Sequence, residues 1–297
     1  MYFRNNMSRT VNEGFNDFHD KLKLVSSESD AVAKHRASIE SCLKNNFGMN
    51  RFFRTGSIGN GTNVNGYSDT DYFAGIPREN LKENSITTLR QIKEALEARF
   101  PTTSGICVDS PAVVIPFGTK ASETTEIIPA DYMRTEHGVN IYDVPDGTGN
   151  WMKSSPKAHN DYVTEINSSL SYKVKPLIRF IKAWKFYNNV PVSSFYLEMR
   201  TAKFASGEKS ILYTYDFRSI LRDLISVDLA PMNNPSGIPG SINPCGSESA
   251  KKETLSKIAT AVRRANNAID AEDKGKTDDA FYWWNLIFDD KFPSYYR

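Results

Sequence analysis

Residues 56–73 read GSIGNGTNVNGYSDTDYF, which sets Asp69 and Asp71 one residue apart in a segment with strand character. Successive side chains of an extended strand point to opposite faces, so both carboxylates lie on the same face. Two carboxylates so placed repel each other unless a hard cation bridges them. Mg²⁺ takes carboxylate oxygens together with substrate phosphate oxygens, and paired ions support in-line displacement at phosphorus. Asp69 and Asp71 are therefore candidate catalytic metal ligands.

The residues that precede these carboxylates form a candidate phosphate-binding turn. Gly56 lets the backbone approach a ligand closely, and Ser57 at the start of a helical turn offers a hydroxyl beside free N–H groups. An acidic pair on a solvated strand edge would otherwise be a plain surface feature. The combination with Gly56 and Ser57, and with the apolar residues from Tyr72 to Ile76 that bury the strand, favours a functional site.

Helices and strands are predicted on both sides of this stretch. Helical spacing of apolar residues predicts one interrupted helix or two from Val11 to Phe47, with Ser26 to Ser29 as the break, and another helix from Ser85 to Phe100. The predicted strands are Arg51 to Thr55, Ser68 to Ile76, Ala112 to Phe117 and Glu123 to Ile128. The last two are expected to form a hairpin through Gly118 to Ser122.

The stretch from Gly138 to Pro156 shows no period and is predicted to be a long surface loop at a lobe boundary. It divides the chain into residues 1–155, a helical spine with an α/β core, and residues 156–297, a helical lobe. Predicted helices of the lobe are Asp161 to Tyr187, Ser194 to Ser206, Phe217 to Ser226, Glu248 to Asp273 and Asp278 to Phe288. Pro231 to Pro244 is too rich in Pro and Gly for a regular element and is expected to be an ordered functional loop or a mobile one.

The composition narrows the classes of function. A chain of 297 residues with 39% hydrophobic content can bury a substantial core. Its 37 Lys and Arg against 35 Asp and Glu leave a net charge of +2, which suits small nucleotides better than long nucleic acid. No apolar stretch approaches the roughly 20 residues of a membrane span, and the 3 separated cysteines lack metal or redox spacing. We expect a cytoplasmic protein that does not bind membranes.

Gly56-Ser57, a short helix, and Asp69-x-Asp71 on a strand together resemble the signature of the DNA polymerase beta-like nucleotidyltransferase superfamily. Within it, G-S-x-x-x-G-T ending in S-D-x-D resembles the cGAS/DncV-like branch (CD-NTases), which includes the cyclic-oligonucleotide synthases of anti-phage CBASS operons. The closing AFYWWNLIFDDKFPSYYR is also similar to the bacterial members. The resemblance implies an α+β fold, with a polymerase beta-like core of mixed sheet and flanking helices and an oligoadenylate-synthetase-like C-terminal helical lobe.

The same resemblance implies further site residues. The family's third acid falls on Glu126 in TEIIPA, where many relatives have Asp, while Asp131 is a second candidate that Pro129 and Ala130 separate from the hairpin. Lys182 in PLIRFIKAWKFY matches the lysine that meets the triphosphate. Ser194 and Phe195 in SSFYLEMRTAKF match a serine that contacts phosphate and an aromatic residue that stacks on a base. The local pattern alone favours other roles for these residues. It predicts that Lys182 lies on a solvated helix face, that Ser194 is a helix N-cap and that Phe195 packs in the core.

The implied activity joins nucleoside triphosphates (ATP, GTP or pyrimidine nucleotides) into a cyclic di- or trinucleotide second messenger and releases pyrophosphate. Asp69, Asp71 and Glu126 would hold a pair of Mg²⁺ ions, with Mn²⁺ as an alternative. We expect a monomer on which regulatory proteins of a defence operon act, at the core or at the C-terminal tail from Pro293 to Arg297. Linear oligonucleotide synthesis, transfer to RNA or protein, and a catalytically inactive nucleotide-binding regulator stay open as alternatives.

Overall fold

The computed structural model describes residues 8–23, 30–67, 69–118 and 123–296. Its first helices are α1 (Val11–Leu22) and α2 (Asp30–Phe47). α1 begins at a capping box, in which the Thr10 hydroxyl accepts from the Glu13 N–H and the Glu13 carboxylate accepts from the Thr10 N–H. This stretch therefore forms two helices, and the predicted break at Ser26 to Ser29 lies outside the described residues.

A mixed sheet dominates the next part of the chain. The elements in order are β1 (Arg51–Arg54), α3 (Gly56–Asn60), β2 (Thr70–Gly75), a 3-10 turn (Arg78–Asn80), α4 (Ser85–Arg99), β3 (Cys107–Asp109), β4 (Ala112–Phe117), β5 (Glu123–Glu136), β6 (Val139–Pro145) and β7 (Trp151–Ser154). The strand order is β1-β2-β5-β4-β3, and β6 pairs with β5 and β7. β2 and β5 run parallel at the centre, while their other neighbours are antiparallel. The connection between β4 and β5 includes residues 119–122, which lie outside the described residues.

The packing of the sheet decides which way the carboxylates point. Buried apolar residues of α2 and α4 form one cluster with Tyr72 of β2 and Ile127 of β5. Neighbouring side chains on a strand point to opposite faces, so Asp71 and Glu126 project from the face that α2 and α4 leave free. The hydrophobic pattern thereby places both acids on one side of the two central strands.

β5 is longer than predicted, because it runs through Pro129 to Glu136. The Ala130 carbonyl points towards β2, where it accepts a hydrogen bond from the Ile76 N–H. The backbone nitrogen of the preceding residue, Pro129, therefore points towards the opposite neighbour, and the pairing with β4 has already ended there. A proline is tolerated there since no ladder bond requires its N–H. The predicted separation of Asp131 from the hairpin was therefore wrong: Asp131 lies on the same strand and pairs with β6.

The predicted surface loop from Gly138 to Pro156 was also wrong, because most of it forms the antiparallel strands β6 and β7. The Gly- and Asp-rich part of this stretch is the turn between them. There the Asp146 carboxylate accepts backbone N–H groups of Thr148 and Asn150, a typical role for aspartate in turns. The strand pairing depends on partners distant in sequence, so local composition did not reveal it.

Most predicted helices of the carboxy-terminal half are confirmed. They are α5 (Pro156–Ser169), α6 (Val174–Tyr187), α7 (Ser194–Ala205), α8 (Tyr213–Ser226), α9 (Glu248–Asp273) and α10 (Thr277–Ile287), with the short strands β8 (Met232–Asn233) and β9 (Ser241–Ile242) between α8 and α9. The predicted run from Asp161 to Tyr187 is two helices, because Ser171 and Tyr172 adopt positive φ between them. In the described ranges, no helix is both long and apolar enough to cross a membrane.

Helix α1 belongs to the core of this helical lobe. The Phe15 and Phe18 rings lie 5.1 and 5.7 Å from that of Phe180 on α6, and both side chains are fully buried with α8 and α10 residues. The amino-terminal helix thus joins the two halves of the chain, and the division at residue 155 stays a prediction.

Candidate active site

The turn at Gly56 and Ser57 holds Asp71 in place. Gly56 has φ +59°, and a Cβ added to it would lie 1.8 Å from Oδ2 of Asp71, so only glycine fits. The Thr55 N–H donates to the Asp71 carbonyl at 2.9 Å, and the Ser57 N–H donates to the Asp71 carboxylate. The Gly-Ser turn therefore positions a carboxylate directly, which the sequence analysis did not foresee.

Three acidic residues meet next to this turn. Asp71 lies opposite Glu126 in the parallel register of β2 and β5, and the Glu126 carboxyl donates a hydrogen bond to the Asp71 carboxylate. Asp69, just before β2, accepts a hydrogen bond from the Thr124 side chain. Asp131 lies farther along β5, opposite Asp143 of β6. The structure thus places Glu126, and not Asp131, beside the acidic pair.

Burial and mutual repulsion shift the protonation of these acids. Burial, together with the charges of Asp71 and Asp69, raises the pKa of Glu126 to about 8. Burial likewise raises the pKa of Asp71 and of Asp69. In the described part of the chain, no three Asp, Glu, His or Cys side chains are already arranged as a metal-binding group. At neutral pH the proton on Glu126 instead relieves the repulsion within the cluster.

We expect the melting temperature to fall as the pH rises from about 6.5 to about 8, above the range in which the lowered pKa values of the buried His19 and His159 have the opposite effect. The folded-state pKa of Glu126 lies above its unfolded value, so the stabilisation is complete below the unfolded pKa and is lost as the pH rises through about 8. Calorimetry in the absence of metal and nucleotide, across this pH range, measures the effect.

Glu126→Gln should remove much of that dependence. Glu136→Gln is the matched control, since Glu136 lies on the same strand, is exposed and pairs with Arg134. Identical pH profiles for Glu126→Gln and the wild type would refute the electrostatic account of the cluster.

Lys182 lies at the buried base of the site. It is 2% exposed, and its Nζ lies 3.1 Å from Oε2 of Glu198 on α7. The same carboxylate accepts hydrogen bonds from the Thr62 hydroxyl, at 2.5 Å, and from the Asn60 amide. This buried network connects the segment after the Gly-Ser turn to α6 and α7. The positive charge of Lys182 also opposes the rise in the pKa of Asp71 that burial causes. Lys182 does not lie on a solvated face, and its contact with the triphosphate stays a prediction.

Lys185 is a further candidate site residue, which the sequence pattern alone does not distinguish from a surface lysine. Its Nζ donates to the Ser194 hydroxyl at 2.6 Å. Burial and the charge of Lys182 together lower the pKa of Lys185 to about 8, with the charge of Asp69 opposing the shift. A lysine three residues after Lys182 lies on a neighbouring position of the helix surface, and this spacing could have identified it. Lys185 and Ser194 together form a cationic, hydrogen-bonding pair facing Asp69.

Ser194 and Phe195 both lie at the start of α7. Ser193 is the N-cap, because its side chain accepts from the Tyr196 N–H, so the N-cap interpretation of Ser194 was wrong. The Ser194 hydroxyl instead accepts a hydrogen bond from Nζ of Lys185. Phe195 is 39% exposed, which argues against core packing and leaves a ring face available for stacking.

A family model described as Second Messenger Oligonucleotide or Dinucleotide Synthetase domain matches residues 9–167. The chain is 28% identical over 176 residues to a probable cyclic nucleotide synthase of Bacillus cereus strain VD146, across 57% of this chain and 52% of the relative. It is 25% identical over 168 residues to the cyclic AMP-AMP-AMP synthase of an Acinetobacter strain, across 52% and 48%. The chain therefore spans about half the length of the curated relatives it matches.

Solved structures share the fold over nearly the whole chain. The cyclic AMP-GMP synthase DncV of Vibrio cholerae, in complex with a linear intermediate, has a TM-score of 0.74 at 13% identity and covers 97% of both chains. CdnC of E. coli MS115-1 with ATP has a TM-score of 0.71 at 16% identity, across 95% of this chain and 98% of that one. The expected α+β fold is confirmed.

The residues matched by the family model include the Gly-Ser turn, the Asp69-Asp71 pair and Glu126. They account for more than half of the chain, and the structural likeness extends through the helical lobe. The chain belongs to the Second Messenger Oligonucleotide or Dinucleotide Synthetase family.

Proposed function

We propose that this protein joins nucleoside triphosphates into a cyclic di- or trinucleotide and releases pyrophosphate. The observation that carries the proposal is the cluster of Asp69, Asp71 and Glu126 beneath the Gly-Ser turn, opposite Lys185 and Ser194, in a chain of this family. The names of the relatives support it, since one is a cyclic AMP-AMP-AMP synthase and another is bound to the linear intermediate pppA(3′,5′)pG.

The donor set fits Mg²⁺, which takes hard carboxylate oxygens. Asp69, Asp71 and Glu126 would hold the ions. Burial and, for Asp71 and Glu126, the neighbouring carboxylates raise their pKa values, so a bound cation would stabilise their charged forms. When bound, the metal supplies activation of the attacking hydroxyl and stabilisation of the leaving phosphate oxygens. To act as a ligand, Glu126 would lose the proton that it shares with Asp71, so addition of Mg²⁺ should release protons.

The other residues position the nucleotides. Lys185 and Ser194 present a cation and a hydroxyl to the triphosphate, and binding of this anion would raise the pKa of Lys185 above its present value of about 8. Phe195 stacks on a base. The ribose hydroxyl of one nucleotide attacks the α-phosphate of the other, the new phosphodiester bond forms and the bond to pyrophosphate breaks. A cyclic trinucleotide requires one further intermolecular transfer of the same kind. In either case a last transfer within the linear product closes the ring and releases one more pyrophosphate.

We expect incubation with all four nucleoside triphosphates and Mg²⁺ to yield pyrophosphate and a product that resists phosphatase. A cyclic product has no terminal phosphate, and mass spectrometry with nuclease mapping identifies its bases, size and linkage. A phosphatase-sensitive product would indicate linear synthesis, and label transferred to added RNA or protein would indicate those acceptors. Nucleotide binding without turnover or Mg²⁺ dependence would indicate a regulator. An anti-phage role, cytoplasmic action as a monomer and control by operon proteins stay predictions.

A further inference from the structure

The proline-rich loop, residues 231–244, joins α8 to α9 and packs against strand β6 of the mixed sheet. Its Ile238 is 6% exposed and packs with Ile141 of β6 and Ala158 of α5. Its end accepts a hydrogen bond at the Pro244 carbonyl from the Ser193 N–H, next to the start of α7. The loop contains the paired strands β8 and β9. It lies beside the start of α7, which carries the exposed Phe195 ring.

Within this loop, the orientation of the Asn234 amide is determined by its neighbours. Its Oδ1 accepts hydrogen bonds from the Ser236 N–H at 3.1 Å and from the Ser236 hydroxyl at 2.7 Å. The amide nitrogen therefore faces the His159 ring, where Nδ2 lies 2.9 Å from Nε2. An amide nitrogen only donates, so Nε2 of His159 is the acceptor and the ring proton is on Nδ1.

His159 presents that proton beside Phe195. The two rings lie 4.8 Å apart at an angle of 59°. Among the described residues, Asn234 is the hydrogen-bond partner of the His159 ring, which leaves Nδ1–H without a protein acceptor. Burial lowers the pKa of His159 to about 4, so the ring is neutral under ordinary conditions. The arrangement is a neutral donor with one defined tautomer next to an exposed aromatic ring.

We propose that His159 is a base-recognition residue, whose Nδ1–H donates a hydrogen bond to an acceptor atom on the nucleobase that stacks on Phe195. The proposal rests on the proposed function and extends it to base choice. Ring nitrogens and carbonyl oxygens of bases accept such a bond, whereas exocyclic amino groups do not. A base that presents an amino group at this position would cover the Nδ1–H without accepting its hydrogen bond and is therefore disfavoured. Asn234 acts as a positioning residue because it fixes the tautomer.

The test uses His159→Phe, which keeps a ring beside Phe195 but removes the donor. Calorimetry gives the dissociation constant of each of the four nucleoside triphosphates. We expect roughly tenfold weaker binding of the preferred nucleotide, with the other three unchanged, so that selectivity falls by the same factor. A merely structural role would weaken the binding of all four alike.

Asn234→Ala is a second variant that does not depend on packing a new ring. Nitrogen-15 NMR of the wild-type histidines should show His159 protonated at Nδ1, and Asn234→Ala should lose this single tautomer together with selectivity. Asn233→Ala is the matched control, since Asn233 is exposed on the same loop, and it should behave as the wild type.

Wild-type selectivity in His159→Phe, no selectivity in the wild type, or a wild-type ring protonated at Nε2 would each overturn the proposal. Selective binding by a wild-type protein that releases no pyrophosphate would instead refute the proposed function and leave base recognition supported.

Discussion

Asp69→Asn combined with Asp71→Asn is expected to lower pyrophosphate release from mixed nucleotides by about a thousandfold or more. In the proposed function these side chains are metal ligands, and losing them removes several kcal/mol of transition-state stabilisation, of which about 4 kcal/mol corresponds to this factor. The fold should survive, because neutral amides of the same size remove repulsion from a cluster whose pKa values are raised by burial and by neighbouring charge. We therefore expect the variant to melt no lower than the wild type at about pH 8.

Asp131→Asn is the matched control for this experiment. Asp131 is 6% exposed and lies on the same strand as Glu126, but the charges that act on it most strongly are those of Arg78 and Asp143 rather than those of the cluster. It should retain most of the activity. Unchanged pyrophosphate release in the double variant would refute the site, and a loss in Asp131→Asn as large as in Glu126→Gln would refute Glu126 as the third acid.

Gly56→Ala is expected to reduce turnover by about a hundredfold while the protein still folds. The new Cβ would overlap Oδ2 of Asp71, so the carboxylate must leave its present position. The positive φ adds about 1–2 kcal/mol of backbone strain. Steady-state kinetics and calorimetry measure the two effects separately.

Gly61→Ala isolates the strain from the displacement of Asp71. Gly61 has φ +65°, closely similar to that of Gly56, but no atom lies within 4 Å of its added Cβ. Gly61→Ala should therefore lose a similar amount of backbone stability and keep its turnover. Equal turnover in the two variants would show that the Gly-Ser turn does not position Asp71 for catalysis.

Much of the site was predictable because its pattern is local. The spacing of Asp69 and Asp71 along an extended segment predicted that they lie together, although β2 itself begins at Thr70. The family resemblance identified Glu126, which the strand register puts beside Asp71. The longer extent of β5 was missed because a proline, which has no N–H, usually marks the end of a strand. The sequence does not show that β5 lacks a β4 partner at Pro129, where no N–H is needed.

The roles of the lysines could not be predicted in this way. Lys182 and Lys185 are near neighbours on one helix, and local pattern gives both the same polar character. Their environments differ because Glu198, on another helix, pairs with Lys182 and leaves Lys185 to Ser194. The contact of His159 with Asn234 joins residues 75 positions apart, and no sequence period reports such a contact.

The sequence by itself determined the acidic pair, the glycine turn, the helices of the lobe and the family, because each depends on spacing within a few residues or on a continuous motif. Only the tertiary structure decided that Gly56 packs against Asp71, that Lys182 pairs with Glu198 while Lys185 pairs with Ser194, and how the His159 ring is protonated. The reason is physical: burial and hydrogen-bond partners set the charge and position of these groups, and the partners come from distant parts of the chain.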